Sequence, residues 1–251
     1  PRGLTFNTVS TTGPSMNDLS AGLMEAVQLL IGGDAEVWEI VFLSLRVSLF
    51  ATAVALLLGI PVGAGLALAR FPGRSFAVGA LYAGMGLPPI VAGLLVSVLL
   101  WRNGPLGAAG LLYTPAAMAI AQALIATPIV AGLTLASVSA LDPRYRMQLL
   151  ALGAGRAQTV WWLLREARFP LIAAVVAGFG AVISEVGAAM MVGGNIKGET
   201  RVLTTATVLE VSRGHFDTAF ALSFVLLGLT YLVTMSLALL QRQPRPHLAS
   251  R

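Results

Sequence analysis

The chain has 251 residues, of which 57% are hydrophobic and only 11% are charged, whereas about a quarter of the residues of a soluble domain are charged. Apolar runs of about 20 residues recur, so the composition excludes an ordinary soluble domain and predicts an all-α membrane protein with several spans. The net charge of +5 comes mostly from arginines at the edges of these runs, which is typical of membrane topology rather than of nucleic-acid binding. The chain has no cysteine, which excludes disulfides, thiol nucleophiles and Cys-based metal sites.

The first residues divide into two parts. Residues 1–15 are polar and rich in turn formers, and we expect them to be a remnant left by cloning or a disordered lead without a part in the fold. Residues 16–36 have a short amphipathic pattern that is too polar to cross a bilayer, which predicts an interfacial helix. We predict a membrane domain over residues 37–241 and a basic cytoplasmic tail over residues 242–251.

Five membrane spans follow in the predicted membrane domain. The expected ranges are 37–58 with a possible helical continuation to residue 69, 76–101, 115–138, 171–192 and 219–240. Gly86-Leu87-Pro88-Pro89 interrupts the second span, because each proline lacks a backbone N–H. Pro128 predicts a simple kink in the third. A polar loop over residues 195–216 contains a short helix at 203–212.

A long basic loop over residues 140–170 separates the third and fourth spans. It holds five arginines and two acids, and such an excess indicates the cytoplasmic side. With this loop inside, ten Lys and Arg residues lie on the cytoplasmic side and four lie outside, leaving aside residues 1–15. The N-terminus is then outside and the C-terminus in the cytoplasm.

The centre of this loop reads Leu152-Gly153-Ala154, with helix-forming residues on both sides. It resembles the cytoplasmic coupling loop of ABC importer permeases, in which a helical elbow contacts an ATPase. The chain departs from that motif because Met147-Gln148-Leu149 replaces Glu-Ala-Ala, and Pro170 lies seventeen residues after Gly153 instead of thirteen. The resemblance implies a coupling role for Leu152, Gly153, Ala154 and Arg156. The alternative is an ordinary basic loop held near anionic lipid.

The segments Ser184-Glu185-Val186-Gly187 and Val192-Gly193-Gly194-Asn195-Ile196, followed by Thr200 to Thr205, resemble oxyanion importer permeases of the tungstate type. Molybdate and sulfate permeases have a looser version of the pattern. The resemblance implies a type I importer permease fold in the inner membrane of a prokaryote. It also implies a homodimer with the passage at its two-fold interface, two ATP-binding subunits, and a periplasmic or tethered oxyanion-binding protein.

Nucleotide chemistry is expected on another chain. The sequence has no Gly-x-x-x-x-Gly-Lys-[Ser/Thr] motif, and its only lysine is Lys197. ATP and Mg would therefore belong to the partner ATPase, and we expect this chain to be a transport subunit without a cofactor, a metal site, catalytic residues or a nucleic-acid partner.

A tetrahedral dianion needs hydrogen-bond donors and little negative charge along its path. Glycine-exposed backbone, amides and hydroxyls supply such donors, and broken helices often line a passage. The expected path residues are Pro88, Pro89, Glu185, Gly193, Gly194, Asn195, Thr200 and Thr204. Two alternatives stay open: a helix C-cap followed by a loop packed by its threonines, and a packing kink at Pro88-Pro89.

Two charged residues fall deep inside predicted spans, where charge is costly. Arg46 lies in the first span and Glu185 in the fourth, which favours a buried ion pair between them. The alternative is that Arg46 serves the anion directly. A stand-alone secondary anion carrier would need coupling carboxylates within the spans, for which Glu185 is the only candidate. A membrane enzyme would need a cluster of reactive groups at one depth, and the sequence shows none.

Overall fold

The computed structural model of the chain describes residues 16–32 and 34–239, so the expectations for residues 1–15 and 242–251 fall outside it. The described residues fold into α-helices and one 3-10 turn at Gly107–Ala109, without β-strands. The helices are α1 (Met16–Gly32), α2 (Ala35–Leu68), α3 (Arg74–Met85), α4 (Pro89–Leu100), α5 (Pro115–Ser139), α6 (Pro143–Ala151), α7 (Arg156–Glu166), α8 (Arg168–Ile183), α9 (Gly187–Gly193), α10 (Leu203–Arg213) and α11 (Phe216–Leu239).

Three of the described helices, α2, α5 and α11, are long and apolar enough to cross a membrane on their own. The number rises to five when each of two bent pairs, α3 with α4 and α7 with α8, counts as one span. The all-α architecture with about five spans that the sequence predicts is confirmed. Both Pro61 and Pro128 lie inside continuous helices.

Side chains at the helix starts explain several of the boundaries. The Asp34 carboxylate accepts hydrogen bonds from the N–H groups of Glu36 and Val37 at 2.9 and 3.1 Å, and so begins α2. Asp142 caps α6 in the same way, and the Thr114 hydroxyl accepts from Ala117 N–H at the start of α5. These oxygens satisfy backbone donors that a first helical turn leaves free.

Helix α5 is the centre of the bundle. Of its most apolar stretch, 61% is buried, against 44% in α2 and 11% in α11. One core cluster joins α5 to α4 and α9 through Met118, Val96 and Val192. A second core cluster joins α5 to α2 and α8. A third joins α1, α2, α10 and α11. Helix α1, predicted as interfacial, therefore packs on α11.

The α2–α5 contact depends on two glycines one turn apart, Gly59 and Gly63. A Cβ at Gly63 would overlap the Ala131 carbonyl oxygen and lie 2.7 Å from Thr134 Cβ. At Gly59, a Cβ would lie 2.8 Å from a Val130 methyl group. This spacing of small residues lets two helix backbones approach closely, which is how helices associate where no hydrophobic effect drives them together.

Two spans are broken, and their C-terminal halves, α4 and α9, pack on each other. Helices α3 and α4 meet at a bend of 100°, at the break that the sequence predicts. The fourth span was predicted as continuous over 171–192, but α8 ends at Ile183 and α9 begins at Gly187. A Cβ on Gly93 of α4 would lie only 2.7 Å from Ala188 Cα, so α4 and α9 are in close backbone contact.

The α2–α5 contact yields a matched pair of glycine tests. Gly63→Ala should lower stability by about 1–3 kcal/mol, because the methyl group meets backbone that cannot move away. Gly65→Ala in the same helix meets nothing within 4 Å and should be neutral or gain up to about 1 kcal/mol of helix propensity. Thermal unfolding of both variants in detergent measures the difference. Equal melting temperatures would contradict the close contact.

Candidate translocation core and coupling elbow

Glu185 lies in the break between α8 and α9 and is buried, with 7% of its surface exposed. Its Oε1 accepts a hydrogen bond from Ala188 N–H at 2.8 Å, and its backbone carbonyl accepts one from the Thr204 hydroxyl at 3.0 Å. A helix break at membrane depth frees backbone groups that water cannot satisfy. Glu185 thus ties the start of α9 to the following segment.

Residues 194–213, which we term the returning segment, run back along α2. Leu203 N–H at the start of α10 donates to the Ser44 hydroxyl at 2.8 Å. At the other end of α10, Glu210 and Arg213 line a cavity of about 450 Å³ together with Asp34. Ser44 lies ten residues after Asp34, which corresponds to about 15 Å along a helix. Helix α10 therefore begins deep in the bundle and ends beside the N-terminal end of α2.

The predicted path residues of the returning segment make their hydrogen bonds inside the chain. The Thr200 hydroxyl donates to the Gly193 carbonyl at 2.6 Å and accepts from Ile196 N–H. The Thr204 hydroxyl donates to the backbone carbonyl of Glu185. Both threonines are buried, which corresponds to the packed-loop alternative that the sequence leaves open.

Gly194 and Asn195 turn the chain after α9. Their φ angles are 72° and 53°, both in the left-handed region, and Gly194 N–H closes the helix onto the Met190 carbonyl at 3.0 Å. Such a residue is a common helix C-cap. The side chain of Asn195 donates to the Thr205 carbonyl at 3.3 Å, while its Oδ1 is buried without a partner among the described residues.

Pro88 and Pro89 are exposed at the start of α4. Pro89 occupies the first helical turn, where a missing N–H costs nothing. The next residue, Ile90, lies against Gly187 at the start of α9. The two breaks are thus neighbours, and the Pro88-Pro89 surface remains open on the single chain.

The predicted ion pair between Arg46 and Glu185 is not formed among the described residues. The reason is the orientation of α2. Ser44 lies on its buried side, whereas Arg46, two residues further, lies on its exposed side. Glu185 is buried and uses its carboxylate as a helix cap.

Two ion pairs hold the returning segment to the N-terminal end of α2. Lys197 Nζ lies 2.6 Å from Glu36 Oε2, and Arg201 Nη1 lies 3.6 Å from Glu36 Oε1. The Lys197–Glu36 pair is largely exposed, so its contribution is small. Arg201 is more enclosed, with 14% of its side chain exposed.

The basic loop forms an elbow of two helices, α6 and α7, joined by a left-handed glycine. Gly153 has a φ of 80°. Gly153 N–H donates to the Leu150 carbonyl and Ala154 N–H to the Leu149 carbonyl, both at 3.0 Å, which is the Schellman arrangement. Gly155 then starts α7, where its N–H donates to Gln158 Oε1. The elbow therefore places Leu152 at the tip of the turn, with 85% of its surface exposed, and Arg156 on exposed helix.

Two arginines, one from α3 and one from the elbow helix α6, cap the C-terminal end of α2, whose last turn carries no basic residue. Arg74 Nε donates to the Leu66 carbonyl at 2.8 Å, and Arg146 Nη1 from α6 donates to the Leu68 carbonyl at 3.4 Å. The last carbonyls of a helix lack intrahelical donors and carry partial negative charge. Both arginines satisfy these carbonyls, and Arg146 also joins α6 to α2.

Comparison with known proteins identifies the family that has this architecture. The family model of the "binding-protein-dependent transport system inner membrane component" matches residues 55–246. The chain belongs to this family. It is 40% identical over 228 residues to a tungstate uptake system permease protein of Peptoclostridium acidaminophilum, covering 91% of this chain and 100% of the relative. It is 37% identical to a probable anion ABC transporter permease protein of Haloferax volcanii, covering 76% of this chain and 84% of the relative.

A solved structure supports the fold. The crystal structure of an amino acid ABC transporter with histidines superposes with a TM-score of 0.57 at 17% identity, covering 84% of this chain and 94% of that chain. The type I permease fold is therefore confirmed. Within residues 16–32 and 34–239, no group of three or more His, Cys, Asp or Glu residues could hold a metal ion.

Sequence reasoning missed three features of this site. It treated the fourth span as continuous, although a polar Ser184-Glu185 pair within an apolar run was a signal for a break. It did not identify Ser44 as the partner of α10, because a serine inside an apolar helix has no distinctive pattern. It also read Arg74 and Arg146 as topology markers rather than as caps of α2.

The geometry of Glu185 predicts that an acceptor, rather than a charge, is needed there. Glu185→Gln retains a carbonyl oxygen for Ala188 N–H and should leave the melting temperature in detergent nearly unchanged. Glu185→Leu leaves a buried donor unpaired and should cost about 1–3 kcal/mol. If the glutamine variant were as unstable as the leucine variant, the capping role would be wrong and an ionic partner would be required.

Proposed function

We propose that this chain is the transmembrane permease subunit of an ATP-driven ABC importer for tungstate. Two copies form the passage at their two-fold interface, two separate ATP-binding subunits dock on the elbows, and a periplasmic or tethered binding protein delivers the anion. The N-terminus lies outside and the C-terminus in the cytoplasm. The binding protein docks at the external loop of residues 195–216.

The observation that carries the coupling role is the apolar surface of the elbow. Met147, Leu150 and Leu152 are 60%, 50% and 85% exposed on an arginine-rich turn. Exposed apolar residues that cluster on a polar loop mark a protein contact. A short helix followed by a rigid turn is a suitable element to insert into a groove on a partner.

The contacts of α2 suggest how movement of the elbow reaches the passage. Arg146 joins α6 to the inner end of α2, and Ser44 joins α2 to the start of α10. Ser44 and Leu68 lie 24 residues apart on one helix, about 36 Å at 1.5 Å per residue. A shift of the elbow during ATP hydrolysis would therefore move the returning segment through a single helix.

Tungstate is proposed as the substrate because the similarity to the tungstate uptake permease covers that protein's full length. The second candidate is molybdate or sulfate carried by the same machine, since the Haloferax relative is named only for an anion. Uptake of radiolabelled tungstate by cells that express the chain with its genomic neighbours, competed by molybdate or sulfate, decides between these anions.

Leu152→Glu tests the coupling role. Since Leu152 is exposed in the chain, the variant should fold normally, but it should reduce co-purification of the ATPase by at least about tenfold, corresponding to about 1.4 kcal/mol of binding free energy. The matched control is Leu106→Glu, which alters a leucine that is 54% exposed in the loop between α4 and α5. Undiminished ATPase binding by Leu152→Glu would contradict the elbow assignment.

A further inference from the structure

Arg46 is the one basic residue in the 34 residues of α2. It lies seven residues beyond Glu39, the last acid before it in the helix, and hence about 10 Å further along the axis. No other Lys or Arg occurs within α4, α5, α9 or α11. A single cation thus lies well within the apolar length of α2, on the exposed side of the helix.

The chain itself gives Arg46 no partner among the described residues. It forms no ion pair there, and its side chain is exposed. Glu185 is buried in the break between α8 and α9, where its carboxylate accepts from Ala188 N–H. Glu36, nearer the start of α2, is already paired with Lys197 and Arg201.

Three environments are available to such a side chain: lipid, a second copy of the chain, or a water-filled passage. At a helix centre in lipid, a charged arginine is costly. Charged residues inside spans consequently face a bundle interior or a water-filled cavity. The hydroxyls of Thr200 and Thr204, which would otherwise serve an anion, are used inside the chain.

We propose that Arg46 lines the passage and binds the translocated oxyanion. This inference rests on the proposed function and deepens it. The guanidinium is planar, stays charged and presents paired N–H donors that fit a tetrahedral oxyanion. In a homodimer, the two copies bring two positive charges, which match the two negative charges of tungstate, molybdate or sulfate.

Loss of this residue should affect passage rather than capture. The binding protein selects the anion and docks on the outer surface, so the concentration of loaded binding protein at half-maximal uptake should stay constant. Arg46→Gln should lower the maximal uptake rate by at least about tenfold, which corresponds to about 1.4 kcal/mol. Arg46→Lys keeps the charge without the paired donors and should retain an intermediate rate.

Cysteine chemistry tests the location independently of transport, because the chain has no native cysteine. In the complete complex in liposomes, Arg46→Cys should react with a water-soluble, positively charged methanethiosulfonate reagent. Tungstate-loaded binding protein should slow the reaction. The control is Leu227→Cys on α11, whose native side chain is 66% exposed on the least buried span, and which should not react.

Charge rescue gives the decisive readout. The cationic reagent on Arg46→Cys should restore uptake at least in part, whereas a neutral reagent of the same size should not. Absence of labelling, or labelling with neither protection nor rescue, would overturn the proposal. If Arg46→Cys does not assemble, the rates of Arg46→Lys and Arg46→Gln, normalised to assembled complex, decide instead, and equal rates overturn it. Failure of the wild-type complex to take up any oxyanion would instead reject the proposed function, while the labelling result would still locate Arg46.

Discussion

Every backbone group freed by a broken helix in an apolar bundle must find a partner within the protein, and this requirement organises the part of the molecule around α9 and α10. The break between α8 and α9 is closed by Glu185, which accepts from Ala188 and Thr204. The start of α10 is closed by Ser44. These contacts join α2, α9 and α10, so the returning segment is held by polar bonds rather than by apolar packing alone.

The same requirement explains how the two ends of the molecule are connected. The C-terminal end of α2 leaves carbonyls that Arg74 and Arg146 satisfy, while its N-terminal half holds the returning segment. Close packing at Gly59 and Gly63 fixes α2 on the central helix α5. One long helix therefore contacts both the elbow and the returning segment. This arrangement suits a subunit in which a movement on one side of the membrane must be transmitted to the other.

Much of this fold is predictable because the spans are long apolar runs bounded by arginines, glycines and prolines. The ranges of α5, α10 and α11 differ from expectation by only a few residues, and Leu152-Gly153-Ala154 marks the elbow turn through the unique backbone freedom of glycine. The predicted ion pair between Arg46 and Glu185 is not formed. The position of a residue along a span does not tell which face of the helix carries it, and Arg46 lies on an exposed face while Glu185 is buried. The hydroxyls of Thr200 and Thr204 are donors of the kind that an anion path needs. The sequence does not reveal that they are bonded to nearby backbone carbonyls in the folded chain.

In the proposed function, this chain converts ATP hydrolysis by a partner into oxyanion import. ATPase activity of the complex in liposomes tests this conversion, with purified binding protein added empty or loaded with tungstate, molybdate or sulfate. We expect the tungstate-loaded protein to stimulate hydrolysis several-fold above the empty protein. An ATPase that does not co-purify, or hydrolysis that no loaded form stimulates, would contradict it.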